Sequence, residues 1–167
     1  MSWRNPSRRV ALLGLLALGA CGLTPAYGPG GAGAALQNRV GLPAPVDDDS
    51  FALNRFLTER LGPATAPAYA LDYRISIAQV AQAITPGEVA TRYSLNGTAE
   101  FVLNATADGA RVAQGRVSSF TSYSATGTTI ATLSAERDAH QRLMRMLADQ
   151  MVTHLLAAPE LAAQAAR

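Results

Sequence analysis

A chain of 167 residues is long enough for a single domain with a sizeable core, and a 49% apolar content excludes a chain that is disordered throughout. The formal net charge of +2 is misleading, because removing the three arginines within the first nine residues leaves 11 arginines against 12 carboxylates, or −1. That balance gives no support for nucleic-acid binding, and the single cysteine excludes a disulfide within the chain.

The first 20 residues have the pattern of a secretory signal peptide. Three arginines precede an uncharged apolar run over residues 10–18, which is shorter than the about 20 residues that a transmembrane helix needs. The run ends in LGAC, residues 18–21, which resembles a bacterial lipobox, in which the cysteine thiol is acylated and the chain is cut before it. We predict a signal peptide over residues 1–20 and lipidation of Cys21. The alternative is an ordinary signal peptide with Cys21 left free.

The segment after the cysteine, residues 21–35, is rich in glycine, proline and alanine and is predicted to be a flexible tether. A short strand is expected within residues 36–42. Apolar side chains then recur at helical spacing, which predicts a helix over residues 50–61 that is capped by Asp49 or Ser50 and stopped by a Gly-Pro pair.

Three longer strands are predicted from alternating apolar and polar residues over 69–80, 88–106 and 111–125. Turns are expected at residues 85–88 and 107–110, so the strands form an antiparallel meander. The third strand alternates less cleanly, and Gly115 or the Ser-Ser pair after it is the candidate for a β-bulge.

Helical spacing returns over residues 132–158. The order β-α-β-β-β-α predicts an α+β two-layer sandwich, with a four-stranded, mostly antiparallel sheet covered on one face by two helices. The folded domain is predicted over residues 36–158, followed by a C-terminal tail over 159–167.

Candidate catalytic groups are few. The two histidines, His140 and His154, are 14 residues apart on the last predicted helix, about 21 Å along its axis, so they cannot share a metal ion. We expect His154 to be a packing residue and His140 to face solvent. Asp72 and Glu100 lie on neighbouring strands, where cross-strand pairing with arginines is the simpler interpretation than catalysis. No nucleophile, phosphate-loop or dinucleotide motif is present, so we predict no enzyme, no metal and no cofactor.

The polar sides of the strands carry arginines among small hydroxyl and amide residues; they are Arg74, Arg92, Arg111 and Arg116. A guanidinium binds phosphate through two parallel hydrogen bonds, so one interpretation is a phosphate-binding surface. The other is a solvated sheet face with cross-strand ion pairs.

Four stretches together resemble the LptE family of lipopolysaccharide-assembly lipoproteins, most of all its alphaproteobacterial branch. They are ACGLTPAYGPGG, NRFLTERLG, YALDYRISI and AERDAHQRLMRMLADQM, at residues 20–31, 54–62, 69–77 and 135–151. The resemblance implies an outer-membrane lipoprotein on the periplasmic side that plugs the LptD β-barrel, is needed for its assembly and binds lipopolysaccharide.

The same resemblance directs attention to cationic groups, because lipid A carries phosphates. By position Arg92, at the start of the long strand, and Arg137, at the start of the last helix, come first; Arg74, Arg111 and Arg116 follow. The alternatives are an auxiliary lipoprotein of an ABC-type lipid transport system and a pilotin-like lipoprotein. A lipoprotein hydrolase comes last, because no catalytic constellation is visible.

Overall fold

The structure is a computed structural model that describes residues 28, 31–84, 90–158 and 161. The predicted signal peptide, the lipidation site at Cys21, the turn at 85–88 and nearly all of the predicted C-terminal tail lie outside these residues. The elements in chain order are α1 (Ala32–Leu36), β1 (Val40–Gly41), α2 (Asp48–Leu61), β2 (Tyr69–Ile84), β3 (Ala90–Ala105), β4 (Arg111–Ser124) and α3 (Thr129–Leu156).

Within the described residues, the four strands form a sheet in the order β1-β2-β3-β4. β1 runs parallel to β2, and the two long pairs that follow are antiparallel. The predicted α+β fold, with a mostly antiparallel sheet and helices packed against it, is confirmed.

The start of the domain differs from expectation. Residues 32–36, most of which were predicted to belong to the tether, form helix α1, and both Ala32 and Leu36 are buried. The strand expected within 36–42 is reduced to Val40 and Gly41. The sequence does not indicate this helix, because its glycine and alanine residues form no apolar pattern. The short helix is stabilised by packing, since Leu36 is buried in the core.

Helix α2 begins two residues before its predicted start because its cap is Asp47, not Asp49 or Ser50. The backbone N–H of Ser50 donates to Asp47 Oδ1 at 2.7 Å, and Ser50 Oγ accepts from the backbone N–H of Asp47 at 2.9 Å. Hydrogen bonding from Ser50 to the Asp47 carboxyl, by the side chain first and by the backbone N–H after it, holds the pKa of that carboxyl below its ordinary value of 3.8. The helix ends at Gly62, whose φ of 77° lies in the region that favours glycine.

Helix α3 also starts earlier than predicted, at Thr129, because Thr128 caps it: the backbone N–H of Ala131 donates to the Thr128 hydroxyl at 3.3 Å. α2 and α3 lie side by side and run parallel, since residue contacts advance in both from the pair Asp49–His140 to the pair Arg60–Asp149. Tyr73 of β2 donates to Asn54 of α2 and Thr121 of β4 donates to the Ala139 carbonyl of α3, so both helices cover the same face of the sheet.

The covered face and the helices enclose one apolar cluster. Its fully buried large side chains come from every layer of the domain: Leu36, Leu53, Leu57, Leu71, Leu95, Leu103, Leu143, Met144, Leu147, Met151, Leu155 and Leu161. The predicted bulge at Gly115 or the Ser-Ser pair is wrong. Gly115 pairs in regular register with Phe101, and the shift between β3 and β4 falls at Leu103/Asn104 instead.

Candidate functional site

The uncovered side of the sheet, here named the open face, has its side chains arranged in rows across β2, β3 and β4. The register places Arg74 opposite Glu100 and Glu100 opposite Arg116, which makes one row of alternating charge. The next row towards the C-terminal end of β2 is Ser76, Thr98 and Ser118, and the row after it is Ala78, Asn96 and Phe120. Alternate residues of the three strands thus form a mostly polar surface, in which Ala78 and Phe120 are apolar.

The charges on the open face compensate one another. Arg116 Nη1 lies 3.7 Å from Glu100 Oε1, and Arg74 is the other cross-strand neighbour of that carboxylate. Asp72 is two residues from Arg74 on the same side of β2 and lines, with these residues, a shallow groove of about 620 Å³. Of the two interpretations drawn from the sequence, cross-strand pairing therefore describes Arg116, whereas Arg74 lies opposite the same carboxylate without an ion pair among the described residues.

The remaining candidate arginines differ in their surroundings. Arg111 is the first residue of β4, and its Nη1 donates to Gln114 Oε1 at 2.8 Å. Arg92 lies near the start of β3, opposite Ser124, and is exposed. Arg137 is exposed on α3. Among the described residues neither Arg92 nor Arg137 forms an ion pair, so these two keep their guanidinium groups available.

A second cavity, of about 500 Å³, lies between the N-terminal part of α2 and α3. Phe51, 63% exposed, and Leu133, 46% exposed, line its apolar part, and Arg55 and Arg137 line its cationic part. Carboxylates also line it, so its charge is mixed. His140 lies there as well.

The two histidines differ from expectation. His140 was expected to face solvent, but it is half-buried and its Nδ1 lies 2.9 Å from Asp49 Oδ1, linking α3 to α2. His154 was expected to be a packing residue. It is largely exposed, although its ring meets the edge of Phe101 with the centroids 5.8 Å apart. The Asp49–His140 link joins residues 91 positions apart, and no sequence pattern signals it.

Two phenol groups between the layers have perturbed acidity. Burial, and after it the negative charge of Asp47, raises the pKa of Tyr73 to about 12; its hydroxyl donates to Asn54 Oδ1 at 2.7 Å. Burial, followed by the charge of Glu136 and a hydrogen bond to it, raises the pKa of Tyr123. Both hydroxyls join a strand to a helix, which is a structural role.

Within the described part of the chain, no group of three or more histidine, cysteine, aspartate or glutamate side chains is arranged to hold a metal ion. None of the helices described there combines the length and the hydropathy needed to cross a bilayer.

Comparison with known sequences decides the family. A family profile described as LptE, lipopolysaccharide-assembly, matches residues 40–155, which is most of the described domain. The chain belongs to the LptE family. This family consists of non-enzymatic lipoproteins that take part in lipopolysaccharide assembly, so the predicted family and the prediction of no enzyme are confirmed. A search of curated proteins gave no match.

Solved structures with the same fold come from several bacteria. A Caulobacter crescentus CB15 protein described as a lipoprotein is similar with a TM-score of 0.62 and 20% identity, over 83% of this chain and 98% of that one. Rare lipoprotein B of Shewanella oneidensis is similar with a TM-score of 0.53 and 15% identity, over 69% of this chain and 89% of that one. At these identities the similarities establish the fold of the LptE-family domain and leave its contacts open.

Proposed function

We propose that this LptE-family protein is an outer-membrane lipoprotein, lipidated at Cys21 and facing the periplasm, that plugs the LptD β-barrel, assists its assembly and binds lipopolysaccharide. The observation that carries the proposal is the family match over residues 40–155. The lipobox-like sequence at residues 18–21 supports the lipid anchor. More than one acyl chain is needed for stable anchoring, and an acylated cysteine of this type supplies them.

The open face supports the plug role on physical grounds. The lumen of a large outer-membrane barrel is polar and filled with water, so a domain inside it needs a hydrated surface. Seven consecutive positions on one side of β3, from Arg92 to Asn104 in steps of two, include one apolar residue, Val102. Such a face can stay hydrated in a water-filled lumen, so its polar groups avoid the desolvation cost of burial.

The five candidate arginines fall into two groups as lipopolysaccharide contacts. Arg74 and Arg116 flank a carboxylate that would repel a phosphate, and Arg111 donates to a glutamine. Arg92 and Arg137 form no ion pair among the described residues, and neither lies between strands directly opposite a carboxylate. We therefore propose Arg92 and Arg137 as the contacts to lipid A phosphates, because a free guanidinium can give both of its hydrogen bonds to a phosphate.

The binding experiment uses charge reversal on the purified lipoprotein. We expect Arg92→Glu combined with Arg137→Glu to weaken lipid A binding at low salt by at least about tenfold, since two charge-assisted hydrogen-bonded contacts are lost. Arg111→Glu, a charge reversal on an exposed strand residue, is the matched control for each of the single variants Arg92→Glu and Arg137→Glu. An equal loss in the control indicates a general charge effect, and unchanged binding in the double variant removes the assignment.

The partner is tested by affinity capture from detergent-solubilised envelopes. Recovery of a large outer-membrane β-barrel supports the proposal. Recovery of an ABC permease, or of a secretin, supports the transport or the pilotin-like alternative instead. Mass spectrometry of the same extract tests the anchor, for which an acylated N-terminal Cys21 is expected and an unmodified thiol argues against it.

A further inference from the structure

We propose that the open face binds a short oligosaccharide, the saccharide part of lipopolysaccharide, between the groove at Glu100 and the ring of Phe120. This inference rests on the proposed function for the identity of the glycan. One end of this surface is the row of Asp72, Val102 and Gln114 across the three strands, and the other end is the row of Ala78, Asn96 and Phe120. The two rows are six residues apart along β2. At about 3.4 Å per residue, they are about 20 Å apart.

The charge pattern of the groove favours a ligand that both donates and accepts hydrogen bonds. Arg74 and Arg116 supply donors, and Glu100 and Asp72 supply acceptors, side by side on one surface. Neighbouring hydroxyl groups of a sugar ring can satisfy both kinds of group at once. A phosphate satisfies the guanidinium groups alone and is repelled by two carboxylates, so a sugar is the better match.

Phe120 supplies the apolar contact that sugar binding needs. Its side chain is 71% exposed, although it stands in the middle of the polar open face, and it is the one aromatic residue among the described side chains of that face. A sugar ring presents a patch of C–H groups on one side, which packs on the flat face of an aromatic ring.

The neighbours of Phe120 suit the hydroxyl groups at the rim of such a sugar ring. Asn96 lies directly opposite on β3, and Ser118 and Ser122 lie two residues away along β4 on the same side. The amide of Asn96 both donates and accepts, and each serine hydroxyl does the same. None of these groups is charged, so the Phe120 end differs from the charged groove and offers hydrogen bonds from uncharged groups alone.

An oligosaccharide fits this surface better than an acyl chain or an apolar protein segment. Both of those need a large contiguous apolar area, and the apolar side chains here are Phe120, Ala78 and, in the next row, Val80, with Asn96, Ser94 and Ser122 beside them. A polar protein wall can compete for the same face, and the experiment below distinguishes it.

The test uses the full mature lipoprotein in detergent and two probes prepared from one lipopolysaccharide: the oligosaccharide released by mild acid, and lipid A. Calorimetric titration gives the affinity for each. We expect Phe120→Ala to weaken oligosaccharide binding about two- to tenfold, the range expected for one aromatic contact. Glu100→Gln, which keeps the shape and removes the acceptor charge, is expected to weaken it by a similar factor. Lipid A binding stays unchanged in both variants.

Phe51→Ala is the matched control, because Phe51 is also an exposed phenylalanine but lies on α2, on the opposite side of the sheet. Absence of oligosaccharide binding by the unaltered protein overturns the inference, and so does an equal loss in Phe51→Ala and Phe120→Ala. If Phe120→Ala instead reduces capture of the barrel with oligosaccharide binding intact, the open face is a protein contact and the inference is wrong.

The two proposals fail separately. Lipid A binding without oligosaccharide binding leaves the proposed function standing and removes the saccharide site. Oligosaccharide binding without lipid A binding keeps the saccharide site and removes the phosphate contacts of Arg92 and Arg137.

Discussion

The two faces of the sheet are built from alternate residues of the same three strands, yet they are specified by different physical requirements. On the covered face, shape decides which residue fits, because α3 lies directly on the strands. On the open face, charge and hydrogen-bonding capacity decide, because water or a ligand is the neighbour. The comparison teaches that a single strand such as β3 carries two independent sets of constraints, one for the packed core and one for the uncovered surface.

The covered face is shaped by two glycines in the strands. A Cβ on Gly97 would lie 2.9 Å from Leu143 Cδ2, and a Cβ on Gly115 would lie 2.8 Å from Phe101 Cζ. Glycine weakens a strand by about 0.5–1 kcal/mol relative to alanine. Here the missing Cβ lets Leu143 rest on the β3 backbone and leaves room for the Phe101 ring beside β4.

The largest effect is therefore expected from filling the space at Gly97. Gly97→Val should destabilise the domain by about 1–3 kcal/mol, because the new side chain forces Leu143 and the helix away from the strand. The next residue, Thr98, lies on the open face, and Thr98→Val should change stability by less than about 0.5 kcal/mol. Urea unfolding of both variants measures the contrast.

A double variant sharpens this result. Leu143→Ala removes the side chain with which the valine of Gly97→Val would clash. The combined variant should therefore lose less free energy of unfolding than the sum of the losses in the two single variants. Strict additivity would mean that the contact between Gly97 and Leu143 does not limit the approach of α3.

The alternating pattern of apolar and polar residues was sufficient to predict the sheet, its meander and its helical cover. The strand pattern over β2 and β3 assigns each residue to a face because the side-chain period is two. The first residue of a helix was harder to predict, because it depends on which residue caps the helix. Asp47 rather than Asp49 starts α2, because the reciprocal hydrogen bonds with Ser50 require the spacing of three residues that Asp47 provides.

The candidate site was predictable in its residues but not in their pairing. The sequence places Arg74 and Arg116 on the polar side of their strands. It does not show that Glu100 lies between them, because the register depends on packing of the other face. Phe120 had a visible signal, an aromatic residue at a polar position of the pattern. The Asp49–His140 link had none, since it depends on how two distant helices meet.

An intermediate effect on stability is expected at Tyr73, where β2 contacts α2. Tyr73→Phe removes the hydrogen bond to Asn54 and should cost about 1 kcal/mol at neutral pH. The pKa of Tyr73 is raised from 10.0 to about 12 in the folded protein. Its contribution to stability is therefore fully present below pH 10 and is lost as the pH rises through 12.

The stability difference between the unaltered protein and Tyr73→Phe should consequently narrow between pH 10 and 12. Urea unfolding at pH 8 and at pH 11 measures the difference, and the tyrosinate absorbance should lose a component that titrates near pH 12. A constant difference over this range would mean that Tyr73 ionises equally in the folded and unfolded chains.

The smallest effect is expected on the open face, at the pair Arg116–Glu100. The two side chains are 70% and 60% exposed and 3.7 Å apart, so solvent screens the interaction and a double-mutant cycle should give a coupling below about 0.5 kcal/mol that falls further at 1 M salt. Arg60–Asp149, which joins the two helices at 2.7 Å, is the comparison pair and should couple more strongly.

This weak coupling matters for recognition. A guanidinium and a carboxylate that contribute little to the fold can exchange their mutual contact, and their water, for the hydroxyl groups of a ligand at little cost in stability. A coupling above about 1 kcal/mol at Arg116–Glu100 would contradict that view. The pair would then stabilise the fold as the packed residues on the covered face do. At the row of Glu100 and Arg116, the two faces of the sheet would no longer differ in what they contribute to stability.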